Sequence, residues 1–367
     1  MYKKYYVILG ILGFIMFVIR CKPDNPRIPN NPSPPRDSTA ISVELNRVPY
    51  PKLSDYHFFI GKLKDQVPAE GVLPYKPASS LFTDYAIKNR FVWMPKDKKA
   101  HYVGDAESLD FPIGSVLIKN FYYNNVQPAN NTRIIETRLM IMKEEGWVFA
   151  EYVWNEDQTE AFLDMNGSNT KVTWEKEQGV SLTANYRIPS KTECFTCHKL
   201  NEVPVAIGPQ PQNLNNDLSF SDGTFNQLLK WVAVGYLEEN SLPTTIQSTI
   251  DYTDVSQPLE MRVRSYLSIS CGHCHQEGSH CSYRPLRLAF SETGNLRNVG
   301  VCVTPDEQIN QDLKYIIMPK RTDASVMYYR LNTTDASVKM PLLGRSIVHE
   351  EGVELMKEWI NSLNPCQ

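Results

Sequence analysis

Ser270-Cys271-Gly272-His273-Cys274-His275 is the stretch from which the rest of this chain is read: it contains a C-x-x-C-H unit, and a second unit lies upstream at Cys194-Phe195-Thr196-Cys197-His198. Two cysteines three apart can form thioethers with the two vinyl groups of one haem, and the adjoining histidine then reaches the iron. With 8 Cys and 7 His in 367 residues, random placement gives roughly 0.003 copies of the pattern. Two copies therefore predict two covalently attached haem c groups, one on Cys194, Cys197 and His198, the other on Cys271, Cys274 and His275, with both histidines on iron. Paired C-x-x-C units also hold structural zinc as four thiolates. The long separation of these two units and the histidine trailing each argue for haem instead. A thioredoxin-like redox pair would need a βαβ context that neither motif has.

A net charge of −3 gives no reason to expect a nucleic-acid partner. Lys3 and Lys4 precede an apolar run from Tyr5 to Ile19, then Arg20 and Cys21. The run is short for a spanning helix and suits a signal segment. Cys21 resembles the lipidated cysteine of bacterial lipoproteins, although Arg20 stands where that pattern has a small residue, so an uncleaved N-terminal anchor is the alternative. Either way the body is expected to be exported, to the periplasm or cell envelope, where haem attachment and disulfides are both permitted. Six prolines between Pro23 and Pro35 make the following stretch an extended tether. The expected organisation is a signal or anchor at 1–20, a tether at 21–45, a β-rich domain at 46–189, a first haem segment at 190–255 and a second haem domain at 256–367.

In the front part, Arg90 to Met94, Ser115 to Tyr123, Ile134 to Met142 and Trp147 to Trp154 are rich in Val, Ile, Phe, Tyr and Trp, as strands are. Lys143-Glu144-Glu145-Gly146 supplies a hairpin turn. Many short strands punctuated by Gly and Pro predict an antiparallel β-sandwich. Glu136, Glu151 and Asp164 read as solvated faces of strands, and His57 and His101 as lone histidines without a ligand role.

Further on, Pro258 suits the first turn of a helix capped by Ser256, and Leu259, Val263, Tyr266 and Leu267 form one apolar face leading into the second motif. Val353, Met356, Ile360 and Leu363 trace a closing helix, stopped by Asn364-Pro365. Between them lies Lys339-Met340-Pro341, and a methionine thioether is a soft ligand that suits haem iron. Met318, in Ile317-Met318-Pro319, is its rival. Pro189 leaves no room for a helix of normal length before the first motif. The helix after it is predicted from Phe225, Leu228, Leu229, Val232 and Tyr236, with Ser221 or Asp222 as cap. From Lys199 to Glu260 there is neither Met nor His, so the far side of the first iron is open or served from elsewhere, with Met94 and His101 as candidates. Cys281 and Cys302 are expected to pair, while Cys366 has no obvious partner. His280 and His349 read as surface or locally hydrogen-bonded.

Helix, C-x-x-C-H, Met-Pro loop and closing helix resemble the small class I-like cytochrome c domain. That resemblance implies His275 as proximal ligand, Met340 as distal ligand, crossed first and last helices, and a carbonyl such as that of Pro285 orienting the proximal imidazole. Phe111-Pro112-Ile113-Gly114 and Tyr152-Val153-Trp154-Asn155, with both haem motifs and Lys339-Met340-Pro341, are similar to exported bacterial dihaem c-type cytochromes with a β-rich front. The resulting expectation is an α+β two-domain chain: an antiparallel β-sandwich-like domain, then a mainly α-helical cytochrome c-like domain carrying both haems. It would transfer single electrons between a redox protein donor and an acceptor, tethered to a membrane. The alternatives are a peroxidase-like enzyme working at an open first haem, and an interaction module whose β domain binds a partner or glycan.

Overall fold

Strands β1 (Phe59–Ile60) and β2 (Val67–Pro68) make a small hairpin. The computed structural model describes residues 41–176 and 179–366. The expected signal segment, Cys21 and the tether as far as residue 40 lie outside the described residues. The alternating runs then form β3 (Leu73–Pro74), β4 (Ile87–Trp93), β5 (Val116–Val126), β6 (Asn131–Lys143), β7 (Gly146–Trp154), β8 (Ala161–Leu163), β9 (Ser168–Glu175) and β10 (Ser181–Ile188). All eight belong to one antiparallel sheet: β3 to β8 lie side by side in chain order, and the β9–β10 hairpin joins where Val126 of β5 meets Trp174. The predicted reversal is present, with Lys143 paired to Gly146 across Glu144-Glu145 and Gly146 at φ 106°, a value that favours glycine.

The sandwich expectation is therefore corrected. Period-2 alternation says that each strand has a core face, but not what covers it. One face, with Val116, Ile118, Leu139 and Ile141, packs against Tyr56 and Phe58 from the non-strand segment before the sheet. The other, with Leu117, Met140 and Phe149, packs against Leu228, Trp231 and Leu237.

Behind the sheet come α1 (Lys191–Cys197), the hairpin β11 (Lys199–Leu200) and β12 (Val203–Pro204), α2 (Pro211–Leu214), the hairpin β13 (Asp217–Phe220) and β14 (Gly223–Asn226), and α3 (Gln227–Ala233). After these come α4 (Leu259–Leu267), α5 (Leu296–Val299), α6 (Val326–Leu331) and α7 (Glu350–Ser362). The mainly α-helical cytochrome domain carrying both motifs is not formed. Between α4 and α7 there are two α-helices, of four and six residues. Pro285, Pro305, Pro319 and Pro341 punctuate that region, and a proline inside a helix costs about 3 kcal/mol or more. The apolar stripes did locate α4 and α7. Caps were placed less well: Ser256 bonds Asp254 rather than capping α4, and α3 is capped by Asn226, because residues 217–226 fold into the β13–β14 hairpin.

α4 and α7 do approach closely, sharing a core of Val263, Tyr266, Met356 and Ile360. Gly352 makes this possible, since a Cβ there would collide with Tyr266 Oη and His349 Nδ1. The sheet docks on the same corner through Asp84, whose carboxylate accepts from the Ser346 and Ile347 amides at 2.7 and 3.1 Å, and through Phe82, stacked on His349 at 4.1 Å.

Candidate functional site

The first motif lies inside a short helix. Pro189 excludes the preceding residues from helix. Ser190 caps α1 by accepting from the Glu193 amide, and Glu193 reaches back to the Ser190 amide at 2.8 Å. Cys194 and Cys197, three apart, fall on one helix face, and the His198 amide donates to the Cys194 carbonyl at 3.0 Å. His198 Nδ1 lies 3.1 Å from the Val205 carbonyl. A carbonyl only accepts, so this contact makes Nδ1 the donor and leaves the Nε2 lone pair free. Burial holds the imidazole near a pKa of about 4, hence neutral at pH 7.

The second motif repeats this turn. α4 runs into a wider π turn at Ser268–Gly272, and the amides of Cys274 and His275 both donate to the Cys271 carbonyl at 3.0 Å. Gly272 is required by a close approach: its Cβ would lie 3.0 Å from the Leu288 carbonyl oxygen. His275 is also held neutral by burial, near about 4, and burial pushes the Cys271 thiol up to about 12. The expected carbonyl support at Pro285 is absent. His275 Nδ1 is buried and, among the described residues, makes no hydrogen bond.

Both motifs open into one cleft, with a cavity of about 230 Å³ that is part open to solvent. All six motif residues line it, as do Met340 and the sheet residues Leu117, Met140 and Phe149. Cys197 Sγ, Cys274 Sγ and a ring nitrogen of His273 lie within 4.8 Å of one another. The hydrogen bond between Cys197 and Cys274 pulls the Cys197 thiol down and pushes Cys274 up.

Comparison with protein-family models, curated proteins and solved structures finds no match. The residues of the cleft nevertheless fit haem. Each motif presents two thiols and a neutral histidine from one turn. A soft thioether lines the cleft in Met340, whereas its rival Met318 does not line it. Neither do Met94, which is core at 1% exposure, or His101, which is exposed. Met140 does line it and was missed, because in sequence it is an ordinary apolar strand residue. His280, exposed, lines the cleft as well. His57 is exposed, whereas His349 is buried beside Tyr266 at 3.2 Å rather than at the surface.

The strand acids need a larger correction. Asp164 is partly exposed, but Glu136 and Glu151 are 0% and 1% exposed. Arg138 bridges them, at 2.5 Å from Glu136 Oε1 and 3.2 Å from Glu151 Oε2, and Tyr186 donates to Glu136 at 2.5 Å. Burial and the neighbouring Glu136 charge push the Glu151 carboxyl well up. The cysteine pairing also differs: Cys302 bonds Cys366, and Cys281 is free and buried. α7 runs back across the core and delivers the C-terminal thiol, a return path that spacing along the chain does not reveal.

Proposed function

We propose that this chain is an exported dihaem c-type cytochrome that passes single electrons between redox partner proteins. The observation that carries this reading is that both C-x-x-C-H motifs line one cleft together with Met340. Bound haem supplies a one-electron iron couple whose potential follows its axial ligands and surroundings. The chain contributes the rest. His198, fixed by the Val205 carbonyl, presents Nε2. Leu117, Met140 and Phe149 exclude water from one wall, and Met340 offers a thioether from a loop whose backbone amide donates to Arg330. Sulfurs as close as those of Cys197 and Cys274 leave little protein between the porphyrin edges they would carry, which favours electron exchange between the two sites. The Cys302–Cys366 disulfide supports an oxidising compartment. Among the described residues no helix is long and apolar enough to cross a membrane, so the proposed tether rests on the segment around Cys21.

A second reading is favoured by the Cys197, His273 and Cys274 cluster, which offers three ligands of the type and spacing that zinc takes. The two readings exclude each other at these sulfurs. The full chain, produced alongside haem-attachment machinery, should give two covalent haems per chain by pyridine haemochrome and intact mass, and Cys194→Ser/Cys197→Ser should leave one. Colourless protein containing zinc would overturn the cytochrome reading.

A further inference from the structure

The sheet side of the cleft carries a row of charge that neither haem attachment nor stability explains. Arg90 of β4 is the direct cross-strand partner of Lys119 of β5, and Lys119 is the partner of Arg138 of β6. Arg138 in turn faces Glu151 of β7. All four line the cleft. Like charges directly opposite one another destabilise a sheet, and burying a charge without a partner costs far more than burying a paired one.

Partners settle which charges are spare. Arg138 is engaged by Glu136 and Glu151, and Arg187 by Glu193 at 2.7 Å. Arg90 is 7% exposed and, among the described residues, makes neither a side-chain hydrogen bond nor an ion pair. Lys119 has only the face of Phe121, 4.8 Å from its Nζ. Burial and the neighbouring Arg90 and Arg138 charges weaken its hold on its proton. The acids near this part of the cleft are Glu136, whose charge reaches Lys119, Glu151 and Glu193, all three already committed to arginines. His198 is close enough to feel the Lys119 charge. Arg90 and Lys119 therefore stand side by side with no carboxylate of the chain left free to pair with them among the described residues.

The geometry points to Arg90 and Lys119 as a built carboxylate-binding site, one that receives the propionates of the haem carried by His198. The assignment of the carboxylate to haem rests on the cytochrome reading; the cationic site itself does not. Arg90 offers a planar fork that matches a carboxylate in two hydrogen bonds, and Lys119 a single strong donor beside it. A bound carboxylate also removes the repulsion between cross-strand partners, which gives a physical reason for the row.

The test uses the full chain matured with haem, comparing wild type, Arg90→Gln/Lys119→Gln and the charge-keeping Arg90→Lys/Lys119→Arg. In the Gln pair the haem count stays unchanged. The midpoint potential of one haem falls and becomes pH-dependent where a carboxylate freed from its cations titrates, while the other haem is unmoved. The Lys/Arg pair restores the wild-type potential. Removing two facing cations, Arg90 buried and Lys119 half-buried, also leaves the haem-free Gln pair at least as heat-stable as haem-free wild type; a lower melting temperature would mark the row as structural and overturn the site. If both potentials are unchanged but wild type, and not the Gln pair, binds succinate by calorimetry, the ligand is a free carboxylate and the propionate assignment falls. Unchanged potentials without succinate binding overturn the site altogether. If the chain matures without haem, the cytochrome reading is what fails, and succinate binding by wild type against the Gln pair then decides the cationic site alone.

Discussion

Cys197 and Cys274 meet across the cleft: each closes a C-x-x-C pair on a different helical turn, and their sulfurs, with a ring nitrogen of His273, lie within 4.8 Å of one another. Free thiols in that arrangement bind soft metals, whereas thioether sulfurs have given up the thiolate that zinc needs. The reduced, haem-free chain is therefore expected to bind one zinc per chain in a chelator competition. Cys197→Ser, Cys274→Ser and His273→Ala should each weaken that binding, and the haem-loaded chain should show none. Equal zinc uptake by both forms would contradict thioethers at these positions.

Met340 lines the cleft and Met318 does not. Met340→Ala should abolish the thioether-to-iron absorption band and lower one midpoint potential, since a thioether raises the potential of the iron it binds. Met318→Ala should leave both spectrum and potentials as they are. The reverse pattern would move the axial ligand to the other loop.

Arg138 holds two buried carboxyl groups on a single guanidinium. Removing one member of a buried ionic group strands the others, at a cost of about 3–5 kcal/mol. Arg138→Met should lose that much in urea unfolding. A loss below about 1 kcal/mol, the range of surface pairs, would show that solvent reaches these acids.

His349 is stacked on Phe82, and burial lowers its pKa from 6.5 to about 4. The unfolded chain therefore takes up this proton first as pH falls. The stability contributed by the neutral imidazole is complete above 6.5 and is lost between 6.5 and about 4. At about 1.4 kcal/mol per unit the whole loss is about 3 kcal/mol. The difference in unfolding free energy between wild type and His349→Phe should change across this window and be flat above it.

Cys302 and Cys366 close a loop with a sequence separation of 64, for which the chain-entropy argument gives about 4 kcal/mol. Cys302→Ser should be less stable by that order in urea, and Cys281→Ser should leave the disulfide intact by mass mapping.

Much of the candidate site was legible along the chain because its chemistry is local. A C-x-x-C-H unit is one helical turn, so its spacing alone puts two sulfurs and an imidazole on one side of the backbone, as at Cys194 to His198 and Cys271 to His275. The strands β4 to β7 and the helices α4 and α7 were equally legible, because periods of two and of 3.6 are properties of short segments. The misassigned residues depend on what arrives from far away. Glu136 and Glu151 alternate as solvent-facing acids do, and only the wall built by the motif segments buries them. Arg90, Lys119 and Arg138 lie on three strands, and their alignment is a matter of register.

By itself the sequence determined the two cysteine-histidine turns, the strand-rich front, the two amphipathic helices and the Met-Pro loop. Tertiary structure alone decided that the front is one sheet rather than two, that the segment between the helices stays largely irregular, that Cys302 takes Cys366, and that both motifs share a cleft floored by cations. The reason is physical. Local pattern specifies which face of an element avoids water, but what covers that face, and which charges are shut in with it, is set by contacts between residues far apart in the chain, as Asp84 and Ser346 are.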